Sequence, residues 1–128
     1  MSVSTAKSMI LKAQDNLDIA QKSLNDESQH DIVGYNLAQA CELYLKAMMS
    51  LRDLEFPEGE DAHDLDYLMT TLEEEGFAEI SSHADVIELT QYNNPSAHIR
   101  KDERLDLDEY LGYVNDLKKL VGEQLKLF

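Results

Sequence analysis

Between Leu107 and Phe128 the apolar residues Leu107, Tyr110, Leu111, Val114, Leu117, Val121, Leu125 and Phe128 recur every three or four positions. That period lays a continuous stripe along one face of a helix, whereas a strand needs alternation every second residue. Asp106 followed by Glu109 reads as a capping box at the start of this helix. The same period returns in Ile10, Ala13, Leu17, Ala20 and Leu24, predicting a helix from Ser4 to Asn25. Alternating β-branched runs are missing from the sequence, so strands are not expected.

A second helix is predicted from Gln29 to Leu54, after the turn and capping residues Asn25-Asp26-Glu27-Ser28. Between Leu37 and Leu51 it is apolar on more than one face. A helix with so little polar circumference is central in a bundle or shared with another subunit, and both are expected. Pro57 and Gly59 then break the chain. A shorter helix follows from Asp64 through Leu65, Leu68, Met69 and Leu72 to Gly76, a C-cap candidate. A further helix is predicted over Ile80–Tyr92, with Ala84, Ile87 and Tyr92 inward, ending at Asn93-Asn94-Pro95. The 128 residues are thus expected to form one all-α domain, an up-and-down four-helix bundle with one additional short helix.

Charge is distributed unevenly. The net is −15, yet residues 1–52 carry 5 basic and 6 acidic groups and residues 100–128 carry 6 and 7. From Asp53 to Ile99 there are 13 acidic residues and no Lys or Arg. Such a surface repels phosphate backbones, so binding to long nucleic acid is disfavoured. It reads either as a solvated face or as a docking surface for a basic partner, and salt-sensitive binding distinguishes the two. No segment approaches the roughly 20 apolar residues of a membrane span. The opening Met1-Ser2-Val3-Ser4-Thr5-Ala6-Lys7 has no basic stretch leading into an apolar run, so a cytoplasmic protein is expected. The lone Cys41 falls in an apolar helical stretch, where a thiol acts as a small hydrophobe.

Signatures of common chemistry are missing. His30, His63, His83 and His98 show no paired metal-ligand spacing, and no cofactor loop or nucleophile turn occurs. Neither a cofactor nor a structural metal is expected; the oxygen-rich Glu58–Asp66 stretch suits at most loose divalent-ion affinity. The polar connection from Asn93 to Leu105, which carries His98 and Arg100, is longer than helix joints require and is either functional or merely mobile.

Gln39-Ala40-Cys41-Glu42-Leu43-Tyr44-Leu45-Lys46-Ala47, followed by His63-Asp64-Leu65, resembles the signature of HEPN domains, the higher eukaryote and prokaryote nucleotide-binding family. The order of pieces agrees across nearly the whole chain: an opening helix, the Gln-Ala-x-Glu-x-x-Leu-Lys-Ala helix, a His-x-Leu segment, a Tyr-containing helix and loop, and a closing amphipathic helix. Read from the residues alone, Glu42 and Lys46 form an i, i+4 surface couple, and His63 and Asp64 are ordinary helix-start residues. The resemblance implies instead that His63 and Asp64 border a cleft, with Tyr92, His98 and Arg100 lining it for a phosphate or a small nucleotide.

Catalytic members of that family are ribonucleases that place His after Arg with four to six residues between. No histidine follows Arg52, Arg100 or Arg104 at that spacing, and around Arg100 the order is reversed, with His98 first. The resemblance therefore implies a noncatalytic binding module that binds, or presents a surface to, a minimal nucleotidyltransferase or its nucleotide substrate in a toxin-antitoxin pair, while the broadly apolar second helix points to a homodimer through that helix. Two other readings stay open: a metal-independent endoribonuclease in which His98 and Arg100 form a rearranged site, and a helical adaptor without a ligand.

Overall fold

A computed structural model describes residues 2–94 and 99–128. Among them there is no strand. Four α-helices, α1 (Ser2–Ser23), α2 (His30–Leu51), α3 (Leu65–Glu74) and α4 (Leu107–Leu125), are joined by 3₁₀ segments. The buried apolar residues form one cluster with α2 at its centre. Helix α1 packs along α2, and α3, the Ala78–Tyr92 segment and α4 cover most of what α1 leaves. The all-α bundle expected from the sequence is the one formed.

Each stripe acts as its spacing dictates. On α1, Ala6, Ala13, Leu17 and Ala20 are fully buried, and on α3 Leu65, Leu68, Met69 and Leu72 are. Helix α4 buries Leu107, Tyr110, Val114, Leu117 and Val121. Leu120, absent from the predicted stripe, is buried with them, while Phe128 is 57% exposed. Cys41 is sealed at the middle of α2, and burial raises the pKa of its thiol.

Helix ends follow local chemistry. Asp26 accepts from the Ser28 amide and hydroxyl, shaping the turn before α2. Gly76, at φ 101°, ends α3 in a Schellman motif, with Phe77 N–H bonded to the Leu72 carbonyl and Gly76 N–H to Glu73. Helix α2 ends in the same motif at Leu51, three residues before the predicted Leu54. There the left-handed position is Asp53, at φ 56°, and Leu54 N–H reaches the Met49 carbonyl. An aspartate tolerates that conformation but does not advertise it as glycine does. The capping box expected at α4 is not formed: Asp106 makes no side-chain cap bond, and the Glu109 carboxylate accepts from the Tyr113 hydroxyl instead.

The element predicted over Ile80–Tyr92 differs in kind. Ala78–Tyr92 is 3₁₀ helix on either side of a kink at His83, where the backbone is not helical. Beyond the kink its buried residues Val86, Leu89 and Tyr92 are spaced by three, which aligns them on one face only when a turn takes three residues. Ala84, expected inward, is consequently exposed, and Ile87 is only partly buried.

Packing within one chain accounts for the apolar circumference of α2, since Leu37, Ala38, Ala40, Cys41, Tyr44, Leu45, Ala47, Met48 and Met49 are all fully buried. After His30 and Asp31, what stays accessible is a single stripe: Ile32, Tyr35, Gln39, Leu43 and Lys46. Gly34 is buried where the Tyr92 ring crosses α2, and a Cβ built there would stand 2.2 Å from Tyr92 Cδ1. No helix among the described residues is long and apolar enough to cross a membrane.

Candidate functional site

The i, i+4 spacing on α2 brings Lys46 Nζ to 2.8 Å from Glu42 Oε2, as the sequence predicts. The couple is not on the surface, however, because the two side chains are only 13% and 6% exposed. The turn preceding α3 adds a third member, with His63 Nδ1 2.9 Å from Glu42 Oε1. The carboxylate accepts at both oxygens, so its burial leaves neither without a partner. The His63 side chain remains 59% exposed.

Asn93, at the end of the 3₁₀ segment, fastens the same corner. Its Oδ1 accepts from Gln39 Nε2 at 2.9 Å, and its Nδ2 donates to the His63 carbonyl at 2.7 Å. Thr90 Oγ1 accepts from the Leu65 amide at 3.4 Å. Asp64 caps α3, accepting from Asp66 N–H at 3.0 Å and Tyr67 N–H at 3.2 Å. Around these groups opens a shallow cleft of about 510 Å³, lined by Glu60, His63, Asp64, Thr90, Asn93 and Asn94. Its described lining includes no Lys or Arg.

The predicted site residues are thus only partly brought together. His63 and Asp64 border a cleft. Tyr92 does not line it: its ring is buried, burial raises its pKa, and its hydroxyl accepts from the Leu105 amide at 3.1 Å while lying 2.7 Å from His30 Nε2. The Tyr92 hydroxyl thus bridges the Leu105 amide and the His30 ring, the direction of the second bond following the imidazole tautomer. Arg100 is 71% exposed and held by Asp102 at 2.9 Å and Glu103 at 3.5 Å. His98 lies outside the described residues.

The match to known families follows this architecture. The HEPN domain model matches residues 6–125, from the buried Ala6 of α1 to the end of α4. The chain belongs to the HEPN domain family. Functions in the family are often ribonuclease or nucleotide-related. No curated protein and no solved structure matches the chain.

In this HEPN domain the signature residues of α2 do identifiable work, with Glu42 holding Lys46 and His63 and Gln39 holding Asn93. The Glu42–Lys46 spacing is legible in the sequence, but the bond to His63 spans 21 positions and leaves no periodic trace. Gln39, Thr90 and Asn93 likewise escape sequence reasoning as site residues, because their contacts depend on how the 3₁₀ segment lies across α2. No cluster of three or more His, Cys, Asp or Glu suited to a metal ion exists among the described residues.

Proposed function

We propose that this HEPN domain is a noncatalytic binding module that docks a basic protein partner at the acidic corner around His63. The observation that carries this reading is the composition of the cleft. It presents the Glu60 and Asp64 carboxylates beside the hydroxyl and amide groups of Thr90, Asn93 and Asn94, with no described Lys or Arg to receive a phosphate. The surrounding segment, with 13 acidic residues and no Lys or Arg from Asp53 to Ile99, extends the same sign of charge outward. Lysine or arginine side chains of a partner fit such a surface, and complementary charge accelerates their encounter. A minimal nucleotidyltransferase, as in a toxin-antitoxin pair, is the kind of partner that the family suggests. A homodimer through α2 would use the accessible stripe from Ile32 to Lys46, and sedimentation of the purified protein would test it.

Co-expression with a basic nucleotidyltransferase, followed by affinity measurement at rising salt, tests the docking. Affinity should fall with salt, and Glu60→Lys should weaken it further; a complex indifferent to both overturns the reading. Cleavage of a labelled RNA, lost on His98→Ala and on Arg100→Ala, would replace the module with a rearranged ribonuclease.

A further inference from the structure

The 3₁₀ run Ala78–Tyr92 covers 15 residues with one break at His83. Such runs seldom exceed about four residues, because their hydrogen bonds are poorly aligned and their side chains eclipse. The local pattern selects the α form instead. Ile80, Ala84 and Ile87 stand four and three positions apart, which places them on one face at 3.6 residues per turn. The structure takes the other register: Val86, Leu89 and Tyr92 are buried, Ala84 is exposed, and Ile87 is only partly buried. The segment thus carries two apolar faces, one for each type of helix. A place where local pattern and tertiary structure disagree is where a functional element is expected. His83, at φ −105° and ψ 18°, is the joint at which the segment can straighten.

The 3₁₀ register is anchored at its far end. The Tyr92 ring lies across Gly34, and its hydroxyl meets His30 and the Leu105 amide. Asn93 bridges Gln39 and the His63 carbonyl, and Thr90 accepts from the Leu65 amide. A 3₁₀ helix rises about 2.0 Å per residue and an α-helix about 1.5 Å, so exchange over residues 84–92 shortens the segment by about 4 Å. It also turns each of Val86, Leu89 and Tyr92 about 60° from the one before. The Asn93 bonds, 2.9 and 2.7 Å long, cannot follow a movement of that size.

We propose that residues 84–92 form a two-state element, 3₁₀ when the His63 corner is assembled and α when it is taken apart. The 3₁₀ state is the major one, because Val86, Leu89 and Tyr92 bury more apolar surface than Ala84 and Ile87 offer in return. An occupant of the corner binds the 3₁₀ state alone, so docking and helix type bias each other. That link rests on the docking reading; the exchange itself does not.

NMR of the free protein tests the exchange apart from docking. Cross-peaks from an Hα to the amide two residues on mark 3₁₀ geometry, and those to the amide four residues on mark α geometry. Wild type should show the first set over residues 84–92, with relaxation dispersion from a minor state of about 0.1–10%. Ala84→Leu adds bulk to the α face at a position exposed in the 3₁₀ state, and Asn93→Ala removes an anchor. Ala84→Leu alone should enlarge the dispersion, and the two together should replace the first set of cross-peaks by the second. A double variant that keeps the 3₁₀ set, an Ala84→Leu dispersion no larger than wild type, or a wild type already α, overturns the proposal. Binding of a basic nucleotidyltransferase should abolish the wild-type dispersion. Dispersion that persists in the complex breaks the link between helix type and docking, and absence of a complex sinks the docking reading alone.

Discussion

Replacing Gly34 by alanine should destabilise this protein, although the same change inside an exposed helix normally stabilises by about 1 kcal/mol. A Cβ at position 34 would stand 2.2, 2.5 and 2.6 Å from Cδ1, Cγ and Cε1 of Tyr92. Ordinary carbon contacts lie at about 3.5–4.0 Å, so the ring must retreat by about 1 Å or more. It has no slack, because the Tyr92 hydroxyl is bonded to His30 and to the Leu105 amide. Overpacking costs about 1–3 kcal/mol, and losing one of those bonds about 1 more, against the helix-propensity gain of about 1. The net expectation is a loss of about 1–3 kcal/mol, or about 4–12 °C in the unfolding midpoint for a chain of this size. Gly112 on α4 is the internal control: a Cβ there would meet nothing within 4 Å, so Gly112→Ala should gain stability. Urea denaturation of both variants beside wild type reads the difference directly. Equal gains from the two substitutions would show that the Tyr92 ring does not rest on the α2 backbone, and the account of both Tyr92 and His30 would fall with it.

Two further expectations follow from the polar groups. Glu42→Ala leaves the mostly enclosed Lys46 without its carboxylate and should cost about 2–4 kcal/mol in urea denaturation, whereas His63→Ala, at the exposed end of the same cluster, should cost under about 1; similar losses would contradict the assignment of Glu42 as the hub. Because the folded-state pKa of His30 is lowered from 6.5, the unfolded chain binds the extra proton first, so stability should fall as pH drops through 6.5. Melting curves between about pH 7.5 and about pH 5.5 should show a steeper loss in wild type than in His30→Gln, and parallel curves would refute the assignment.

Much of the bundle is legible because local chemistry and tertiary packing agree. The stripes of α1, α3 and α4 bury most of the residues that their spacing selects, and Gly76 and Asp64 cap α3 as their types suggest. Disagreement arises where the tertiary structure decides. The spacing of three in Val86, Leu89 and Tyr92 passes for a loose helical pattern until the segment is seen to be 3₁₀. Asp53 ends α2 in a conformation that glycine would have announced. Of the candidate site, His63 and Asp64 are visible through a family signature, whereas Glu42–His63, Gln39–Asn93 and His30–Tyr92 join positions 21, 54 and 62 apart. No short window of sequence contains both ends of such a bond.

The sequence holds one cysteine, and Cys41 lies at 0% exposure in the helix that the rest of the bundle wraps. Thiol reagents attack the thiolate, so a sealed sulfur with a raised pKa is inert until the surrounding helices separate. Each alkylation therefore counts one opening of the core. With dilute reagent the labelling rate measures the equilibrium population of open molecules; with reagent in excess of reclosing it measures the opening rate itself. The wild-type chain thus contains its own clock for large-scale breathing, and partner docking can be read by how far it slows that clock.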